Sequence, residues 1–493
     1  METEFWQIVL QFIKDWYWVP VSLGYIFVLT TILIENRNPT KTIAWLMIIV
    51  FIPLVGIIFY FFFGQKFKKI KSFTETQQNE RKILTDLWNK NNYKIKEEIN
   101  TLRNEVGGLA DIFQFLNNQY ISPLTTHNEI TLLTNGEEKF KYLLQDLKQA
   151  KHHIHLEYYI FKDDIIGNEI INILIDKRKQ GVLVRVILDD FGSPTRKFKK
   201  IFEQNNIEFH EFLPVKIDSL ANSNYRTHRK IVIIDGIISY VGGINVADKY
   251  INQPKNKQYW RDTAVKIKGS ATGVLQLYFW NNWNFEDTKN NYLDLQYFPK
   301  EHDFNRSINF SNSEVAFTFS NPGYETPYAM DTILLAIYKA EKSIKICTPY
   351  FIPTEQLITA LQTAAMRGVQ VEIILPSKSD SKIVHLASIS FTKSILKNGV
   401  KIYFYKKGFM HAKTILIDKK ISFIGTINLD TRSFYLNFEL TTVIYDLKLA
   451  EKMNNQFNID RANSELLTIE KYLSKGIFYR GLTSICRLLS PIL

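Results

Sequence analysis

Two stretches of the sequence carry the same three residue types at the same spacing. Each has a histidine, a lysine two residues later and an aspartate five residues after the lysine: His228, Lys230 and Asp235, and His411, Lys413 and Asp418. In a β-strand, residues i and i+2 point to the same face, so the histidine and lysine of each stretch project together. A histidine and a lysine on one face form a pair that can attack and bind a phosphate.

A glycine and an asparagine extend the repeated pattern. Gly242 and Asn245 follow the first histidine by 14 and 17 residues, and Gly425 and Asn428 follow the second by the same 14 and 17. A purely structural strand has no reason to keep these polar types twice. If pseudo-symmetry relates the two stretches, two histidines, two lysines and two asparagines converge on one point. Such a point would hold a tetrahedral phosphate.

A pair of histidines suits phosphodiester exchange. One imidazole attacks phosphorus to form a covalent phosphohistidine, and the other protonates the leaving oxygen and then deprotonates the incoming alcohol. The lysines neutralise the charge of the transition state, so this chemistry needs no metal and no cofactor. His-x-Lys is not a zinc-ligand spacing, and Cys347 and Cys486 lie far from both motifs in the sequence. The symmetry of the motifs leaves open which histidine is the nucleophile.

The elements that must position these residues alternate between strand and helix patterns, which indicates layered α/β domains. The alternation occurs twice, and the motifs repeat at a distance of 183 residues (411 − 228). This period is too long for a solenoid and indicates a duplicated domain. The predicted ranges are an N-terminal tail (1–15), a helical hairpin (16–64), a cytoplasmic connector (65–130), and two repeated domains (131–300 and 315–493).

The N-terminal part contains two apolar stretches without charge, 16–34 and 43–63. About 20 such residues span a bilayer as a helix, so the pair predicts a transmembrane hairpin. The alternatives are a signal peptide, which should open with basic residues rather than METEFWQ, and a buried core hairpin. The second stretch is followed by QKFKKIK, whereas the connecting loop offers only Arg37 and Lys41. The positive-inside rule therefore predicts that the rest of the chain is cytoplasmic.

Length and charge are consistent with this organisation. The 493 residues predict two or three domains, and the net charge of +12 suits a polyanion, either nucleic acid or an anionic membrane. Charge alone does not choose between these two partners. Two cysteines do not make a disulfide framework, and they fit a reducing compartment.

The repeated H-x-K-x4-D motif, followed each time by a glycine-containing turn and an asparagine, resembles the signature of the phospholipase D superfamily over about residues 130–490. Within it, the sequence is similar to the bacterial cardiolipin synthase family in the loop Arg37–Trp45 and in the stretches HIHLEYYIF, NYRTHRK, YVGGINVADKY and RLLSPIL. The resemblance implies an α+β fold: two pseudo-symmetric phospholipase D-like α/β/α sandwich domains with mixed sheets, preceded by an N-terminal transmembrane helical hairpin.

The resemblance also implies a reaction. A phosphatidyl group would pass from one phosphatidylglycerol to another, giving cardiolipin and glycerol through a phosphohistidine, with His228 as the nucleophile by family practice. The implied partners are phosphatidylglycerol, anionic lipids and the bacterial cell membrane, and not nucleic acid. The alternatives are a membrane-bound phospholipase D, a head-group exchange enzyme, and a membrane-tethered nuclease.

By the same resemblance, each histidine is oriented by an acid from the opposite half, Glu439 for His228 and Asp262 for His411. Asp262 could instead pair with the neighbouring Arg261. The two motif aspartates complete the candidate catalytic set, although we expect them to brace the motif rather than touch substrate.

Three further stretches have an ordinary structural interpretation beside a functional one. Glu157 could line the site or lie at the rim of the core. The basic residues 195–200 could meet lipid phosphates or form a solvated helix face. The aromatic residues 277–285 could touch the bilayer or belong to the core.

Overall fold

The computed structural model describes residues 18–34, 39–60, 93–214, 224–254, 256, 258–286, 294–298, 313–324 and 326–490, together with 6, 11 and 14–16. The chain divides into two compact units. One comprises Met1–Lys68 with Ile217–Asn224, and the other comprises Lys69–Lys216 with Tyr225–Leu493. The lysines of QKFKKIK and the rest of residues 65–92 of the predicted connector lie outside the described residues.

The described residues of the N-terminal unit include the apolar helices α1 (Trp18–Ile34), α2 (Pro39–Phe51) and α3 (Pro53–Phe59). The second predicted span is therefore divided. Ile52 has a non-helical backbone, because the proline ring that follows disfavours the helical conformation at the preceding residue. The Tyr25 hydroxyl donates to the Ile49 carbonyl (2.8 Å) and joins α1 to α2. Among the helices described, none combines the length and the hydropathy that crossing a bilayer demands.

The larger unit begins with helices over 93–106 (α4) and Ala110–Asn118 (α5). The strands of its first half are β1 (Thr125–Thr134), β2 (His153–Tyr158), β3 (Leu183–Asp189), β4 (Glu208–Phe212), β5 (Lys230–Ile234), β6 (Ile238–Gly242), β7 (Trp260–Arg261) and β8 (Thr263–Gly269). The helices are α6 (Asn135–Gln149), α7 (Ile165–Lys179), α8 (Thr195–Gln204) and α9 (Ala271–Glu286).

The second half repeats the arrangement. Its strands are β9 (Ser313–Ser320), β10 (Ser343–Cys347), β11 (Phe351–Ile352), β12 (Gln370–Pro376), β13 (Lys401–Tyr405), β14 (Phe409–Met410), β15 (Thr414–Ile417), β16 (Ile421–Gly425), β17 (Leu429–Asp430), β18 (Glu439–Tyr445) and β19 (Ser464–Leu467). Its helices are α10 (Tyr328–Lys339), α11 (Glu355–Met366), α12 (Lys382–Leu396), α13 (Thr431–Tyr435), α14 (Leu447–Ala462), α15 (Ile469–Leu473) and α16 (Gly476–Leu488).

A single 15-stranded sheet joins the two halves, in the order β19-β13-β12-β10-β15-β16-β18-β9-β1-β8-β6-β5-β2-β3-β4. Read outward from the central pair β9 and β1, the order of the second half matches that of the first strand by strand, and β19 is added at the far edge. β1 and β9 run antiparallel, which is the relation expected of a pseudo-twofold axis at the seam. The parallel pairs β2–β3 and β10–β12 make the sheet mixed.

The motif strands β5 and β15 lie inside the sheet of their own half, and all five residues of β5 are buried. Each returns through a tight turn to an antiparallel partner, β6 or β16. The predicted mixed α/β architecture with an internal repeat is confirmed. The two repeats share one sheet and one compact unit. The boundaries 131–300 and 315–493 therefore stay a prediction of where each repeat begins and ends.

Candidate active site

Each motif histidine is attached through its backbone to a segment of the opposite half. His228 N donates to the Phe438 carbonyl (2.9 Å), and His411 N donates to the Arg261 carbonyl (2.7 Å). Short parallel pairings accompany these bonds, between Thr227 and Phe438 and between β14 and β7. The backbone therefore brings the residue after each pairing, Glu439 or Asp262, beside the histidine of the other half.

The carboxylates of these two acids hold the imidazoles. His228 Nδ1 lies 2.9 and 3.0 Å from the two Glu439 oxygens. His411 Nδ1 lies 2.6 Å from Asp262 Oδ2. These are the pairs that the resemblance implied. With Nδ1 engaged, Nε2 of each ring is left for a substrate.

Arg261 does not compete for the acid beside it. Its Nε donates to both oxygens of Asp460, at 2.9 and 3.0 Å, and both side chains are buried. The side chain of Asp262 is therefore available to His411, whereas its backbone carbonyl accepts from Arg261.

Burial controls the protonation of the histidines. It lowers the pKa of His228, against the opposing charge of Glu439, and it lowers the pKa of His411 to about 4, with Lys413 adding to the effect. Burial acts to raise the pKa of Asp262, but His411 and Lys413 outweigh it and hold that pKa below its usual value. Before substrate binds at neutral pH, the imidazoles are thus largely neutral and the acid beside His411 is ionised.

The two lysines lie behind the histidines and are almost fully buried. Lys230 Nζ donates to the His228 carbonyl (2.6 Å), and Lys413 Nζ donates to the His411 carbonyl (2.5 Å). Burial lowers the pKa of Lys230 to about 7 and that of Lys413 to about 8. A phosphate anion in the site would favour the charged form of both lysines, because opposite charge opposes the cost of desolvation.

The two asparagines are in the site but differ in their bonding. Asn245 donates to the Tyr250 hydroxyl (2.6 Å), and its Oδ1 accepts from Ile160 N (3.2 Å). Asn428 Oδ1 is buried and, within the described part of the chain, has no hydrogen-bond partner. Both asparagines line the pocket described below.

The two motif aspartates are not at the site, which corrects their inclusion in the candidate catalytic set. Asp235 lies at the far end of β5, where its carboxylate accepts from the backbone N–H groups of 151, 152 and 153. Asp418 does the same at the far end of β15, for 341, 342 and 343. Both have positive φ, 54° and 53°, a conformation that aspartate tolerates better than most residues. They brace the turn before β2 and before β10.

A pocket of about 430 Å³ opens over the histidines. Its lining includes residues that the sequence analysis did not select: Tyr159, Arg226, Lys249, Tyr350, Asp380, Arg432 and Asn437. Of these residues, Arg226 could have been selected from the sequence, because it precedes His228 by two residues. The others lie on loops and helix ends, where no periodicity identifies them.

Of the three stretches with two interpretations, Glu157 and the aromatic residues have structural roles. Glu157 is buried and accepts hydrogen bonds from Thr227 Oγ1 (2.5 Å) and Asn282 Nδ2 (2.8 Å), so it braces the residue next to His228. The basic residues 195–200 belong to α8, where Lys197 pairs with Asp163. The described aromatic residues of α9 are mostly buried in the core.

Two family models match the chain. The family model described as "Cardiolipin synthase, PLD-like domain" matches residues 143–283 and 333–461, one copy in each half. A second model, described as "Phospholipase_D-nuclease N-terminal", matches residues 23–65. The two copies of the first model carry one motif each. They define a protein of the phospholipase D type with two domains in one chain.

Relatives of known name cover nearly the whole chain. A cardiolipin synthase of Alkalihalophilus pseudofirmus is 36% identical over 480 residues, which is 96% of this chain and 93% of that one. The major cardiolipin synthase of Bacillus subtilis is 36% identical over 481 residues (96% and 97%). A cardiolipin synthase of Staphylococcus aureus is 37% identical over 483 residues (96% and 95%). The chain belongs to the cardiolipin synthase family of phospholipase D-like proteins.

Among solved structures, a phosphatidylserine synthase from Haemophilus influenzae has a similar fold. The TM-score is 0.58 at 16% sequence identity, over 74% of this chain and 95% of that one. At this identity the similarity concerns the fold alone.

Proposed function

We propose that this protein is a cardiolipin synthase, which transfers a phosphatidyl group from one phosphatidylglycerol to another and releases glycerol. The observation that carries the proposal is the pair of cross-half contacts, His228 with Glu439 and His411 with Asp262, at one pocket. Two oriented imidazoles with buried lysines behind them have the parts needed to exchange one phosphodiester for another.

In the first step, Nε2 of His228 attacks phosphorus and the bond from phosphorus to the glycerol oxygen breaks. His411, protonated in the substrate complex, gives its proton to that oxygen, and glycerol leaves. The phosphate charge of the bound lipid favours this protonation, which opposes the lowering of the His411 pKa by burial. Glu439 compensates the positive charge that develops on the His228 ring.

In the second step, neutral His411 accepts the proton of a glycerol hydroxyl on a second phosphatidylglycerol. The hydroxyl oxygen attacks phosphorus, the bond from nitrogen to phosphorus breaks, and cardiolipin leaves. His228 returns to its neutral form and His411 to its protonated form, so protons balance over the cycle. Lys230 and Lys413 stabilise the charge on the phosphoryl oxygens in both steps.

The site is tested with the purified full-length chain on phosphatidylglycerol vesicles, with glycerol and cardiolipin both counted. We expect one glycerol for each cardiolipin in the unchanged protein, and neither product with His228→Ala or His411→Ala. Phosphatidic acid without cardiolipin would identify a phospholipase D instead. DNA cleavage that depends on His228 would identify a nuclease.

The assignment of the nucleophile has its own experiment. Acid-labile phosphate is trapped by rapid denaturation during turnover, and the labelled peptide is identified by mass spectrometry. We expect the label on His228. A label on His411 would exchange the roles of the two histidines and leave the proposed reaction in place.

We further propose that the apolar N-terminal unit is inserted in the bacterial cell membrane, with both phospholipase D-like halves on the cytoplasmic side. The support is the uncharged character of residues 16–34 and 43–63. The variants Asn38→Cys and Glu451→Cys are expressed separately, and cells without their outer layers but with an intact cell membrane are treated with a membrane-impermeant maleimide. Labelling at position 38 but not at 451 is the expected result, and the reverse pattern would overturn the orientation.

A further inference from the structure

The last helix of the chain, α16, has its polarity reversed relative to an ordinary surface helix. The residues that it buries against the protein are Thr483 and Cys486, whereas large apolar side chains face solvent. Phe478 is 92% exposed, Ile485 61% and Leu488 78%. An isolated exposed apolar residue needs no explanation, but a whole helix face of them does.

The exposed apolar residues form one continuous stripe. Phe478, Leu482, Ile485 and Leu489 succeed one another at intervals of four, three and four residues, which places them on one side of a helix. Ile477 and Leu488 flank this row, and both are exposed. We call this set of six side chains the α16 stripe. Its opposite side is the one that packs against α12 in the same half of the molecule.

The charge around the stripe has one sign. Residues 474–490 contain Lys475, Arg480 and Arg487 and no aspartate or glutamate. A protein partner with an apolar groove would not require this bias, whereas the head groups of an anionic bilayer would complement it. An exposed apolar face bordered by basic residues is the pattern of a helix that lies in a membrane surface.

The helix is held firmly to the element that borders the active site. The guanidinium of Arg487 lies over the ring of Phe391 on α12, 4.6 Å from its centroid. At the other end of α12, Ser381 and Val384 line the pocket over the histidines. Lys475 lies close enough to His385, in the first turn of α12, for its charge to add to burial in lowering the pKa of that histidine.

We propose that the α16 stripe is a docking surface for an anionic lipid bilayer, and that it seats the mouth of the pocket at the level of the lipid head groups. The apolar side chains enter the boundary between head groups and acyl chains, and the three cations remain with the phosphates. Because α16 packs on α12, this docking places a lipid phosphate within reach of the pocket while the lipid stays in the bilayer.

Local fluorescence in the full-length protein tests the surface without any need for catalysis. An environment-sensitive label is attached to Ile485→Cys, and the matched control is Ile459→Cys on α14, an isoleucine of similar exposure (56%). The native cysteines are both buried, and labelling of the unchanged chain gives their background. The protein is reconstituted in vesicles of equal phosphatidylglycerol and phosphatidylcholine, or of phosphatidylcholine alone, with a quencher on the acyl chains.

We expect quenching at position 485 in the phosphatidylglycerol vesicles, weaker quenching in phosphatidylcholine, and little at position 459. Lys475→Gln and Arg480→Gln should each lower the equilibrium constant for docking about fivefold, because each surface cation contributes a comparable electrostatic attraction. No quenching at 485, or equal quenching at 459, would overturn the proposal. Self-quenching between labels at 485 would show that a second copy of the chain covers the stripe. Cross-linking of 485 to the N-terminal unit would show that the chain itself covers the stripe. Either result would overturn the proposal.

A second measurement separates docking from chemistry. Phe478→Ser combined with Ile485→Ser should lower the rate on phosphatidylglycerol vesicles about tenfold or more, since each large apolar side chain adds roughly this much to binding. The rate on dispersed short-chain phosphatidylglycerol should not change, and neither should the rate of the control Ile459→Ser on vesicles. Equal losses on vesicles and dispersed lipid would mean that the helix supports the fold, and would overturn a docking role.

Discussion

The two halves of the molecule place a histidine, a lysine and an asparagine on the same scaffold but surround them differently. His228 has Tyr159 as its neighbouring ring, 5.2 Å away. His411 is enclosed by Trp260, Phe409 and Tyr250, at 5.3, 5.5 and 5.8 Å. This enclosure explains why burial lowers the pKa of His411 as far as about 4. The duplication places a histidine at the same position in each half, and the different packing around the two imidazoles gives them different environments.

The acids that hold the histidines differ in the same way. Glu439 also accepts hydrogen bonds from Ser433 Oγ (3.1 Å) and Asn437 Nδ2 (3.2 Å). Asp262 makes a single short contact with its histidine and accepts from Thr263 N (2.7 Å). His228 is therefore held by a well-supported acid, whereas His411 is drier and is held by a shorter acid. This difference suits the two histidines to two roles in one reaction.

The turns after the two motifs show how each acid is accommodated. A Cβ on Gly243 would lie 2.2 Å from Asp262 Oδ1, so only glycine fits there. The equivalent residue of the second half is Thr426, whose hydroxyl bonds to the backbone of Leu440 (3.0 and 3.2 Å). The Gly-Gly turn of the first half thus leaves room for Asp262 of the same half, whereas the Gly-Thr turn of the second half has room for a side chain.

The largest expected effect comes from neutralising the acids. Asp262→Asn and Glu439→Gln should each lower kcat by about 10³- to 10⁴-fold, because an amide cannot hold the imidazole in the required tautomer or stabilise its charge. Initial rates of cardiolipin formation measure this. Glu451→Gln, an exposed carboxylate on α14, is the matched control and should keep the full rate. A near-normal rate with Asp262→Asn would show that the two halves do not share this device.

A smaller effect should distinguish the two turns. Gly243→Ala should lower kcat about 10²-fold, since the added methyl group displaces Asp262 and with it His411, and misplacement by about 1 Å has this cost. Thr426→Ala removes one hydroxyl that bonds to the backbone of Leu440 and to Glu439, but it leaves both oxygens of Glu439 on His228 and should lower kcat much less. Rates and melting temperatures are measured together. Equal effects of the two substitutions on kcat would contradict the asymmetry.

The pH dependence should follow the lysines on the alkaline side. Burial sets the pKa of Lys230 to about 7 and of Lys413 to about 8, and each binds phosphate in its charged form, which is present below that pKa. We therefore expect kcat/KM to fall as pH rises through 7 to 8, by about tenfold per pH unit between the two pKa values and by up to about 100-fold per pH unit above both. Lys413→Arg keeps its charge, and if it folds normally it should leave the fall near pH 7 in place and make it less steep above pH 8. A kcat/KM that is flat up to pH 9 would exclude both lysines from binding phosphate.

The smallest effect on catalysis should come from the motif aspartates, where the halves are alike. Asp235→Ala and Asp418→Ala should each lower the free energy of unfolding by about 2 kcal/mol, because each leaves backbone N–H groups without their acceptor. Denaturant unfolding measures the change, and Asp176→Ala on the exposed face of α7 is the control. Loss of activity without loss of stability would return these residues to the catalytic set.

Much of this arrangement could be predicted from the sequence because it is periodic. The repeat, the mixed α/β architecture and the shared face of His228 and Lys230 follow from spacing alone. The acids Glu439 and Asp262 required the family resemblance, since no local pattern relates them to a histidine in the other half. The break at Pro53 was missed because the apolar composition of 43–63 concealed the effect of one proline.

Other features of the site and surface depend on tertiary packing and could not be predicted from the spacing of residues in the sequence. Arg432 and Tyr350 reach the pocket only because the strands β17 and β11 pair beside it. The reversed polarity of α16 was equally hidden, because a helical pattern in the sequence states which residues share a face and not which face is turned inward.

The exchange of acids across the seam has a consequence for how the protein is made. A ribosome releases the first motif more than two hundred residues before it reaches Glu439. Until then His228 lacks its carboxylate. Asp262 likewise has no histidine to bind until residue 411 has been synthesised. A truncated or half-finished chain thus holds a nucleophile but no working centre, so the chain cannot begin to attack the lipids around it before its translation is nearly complete.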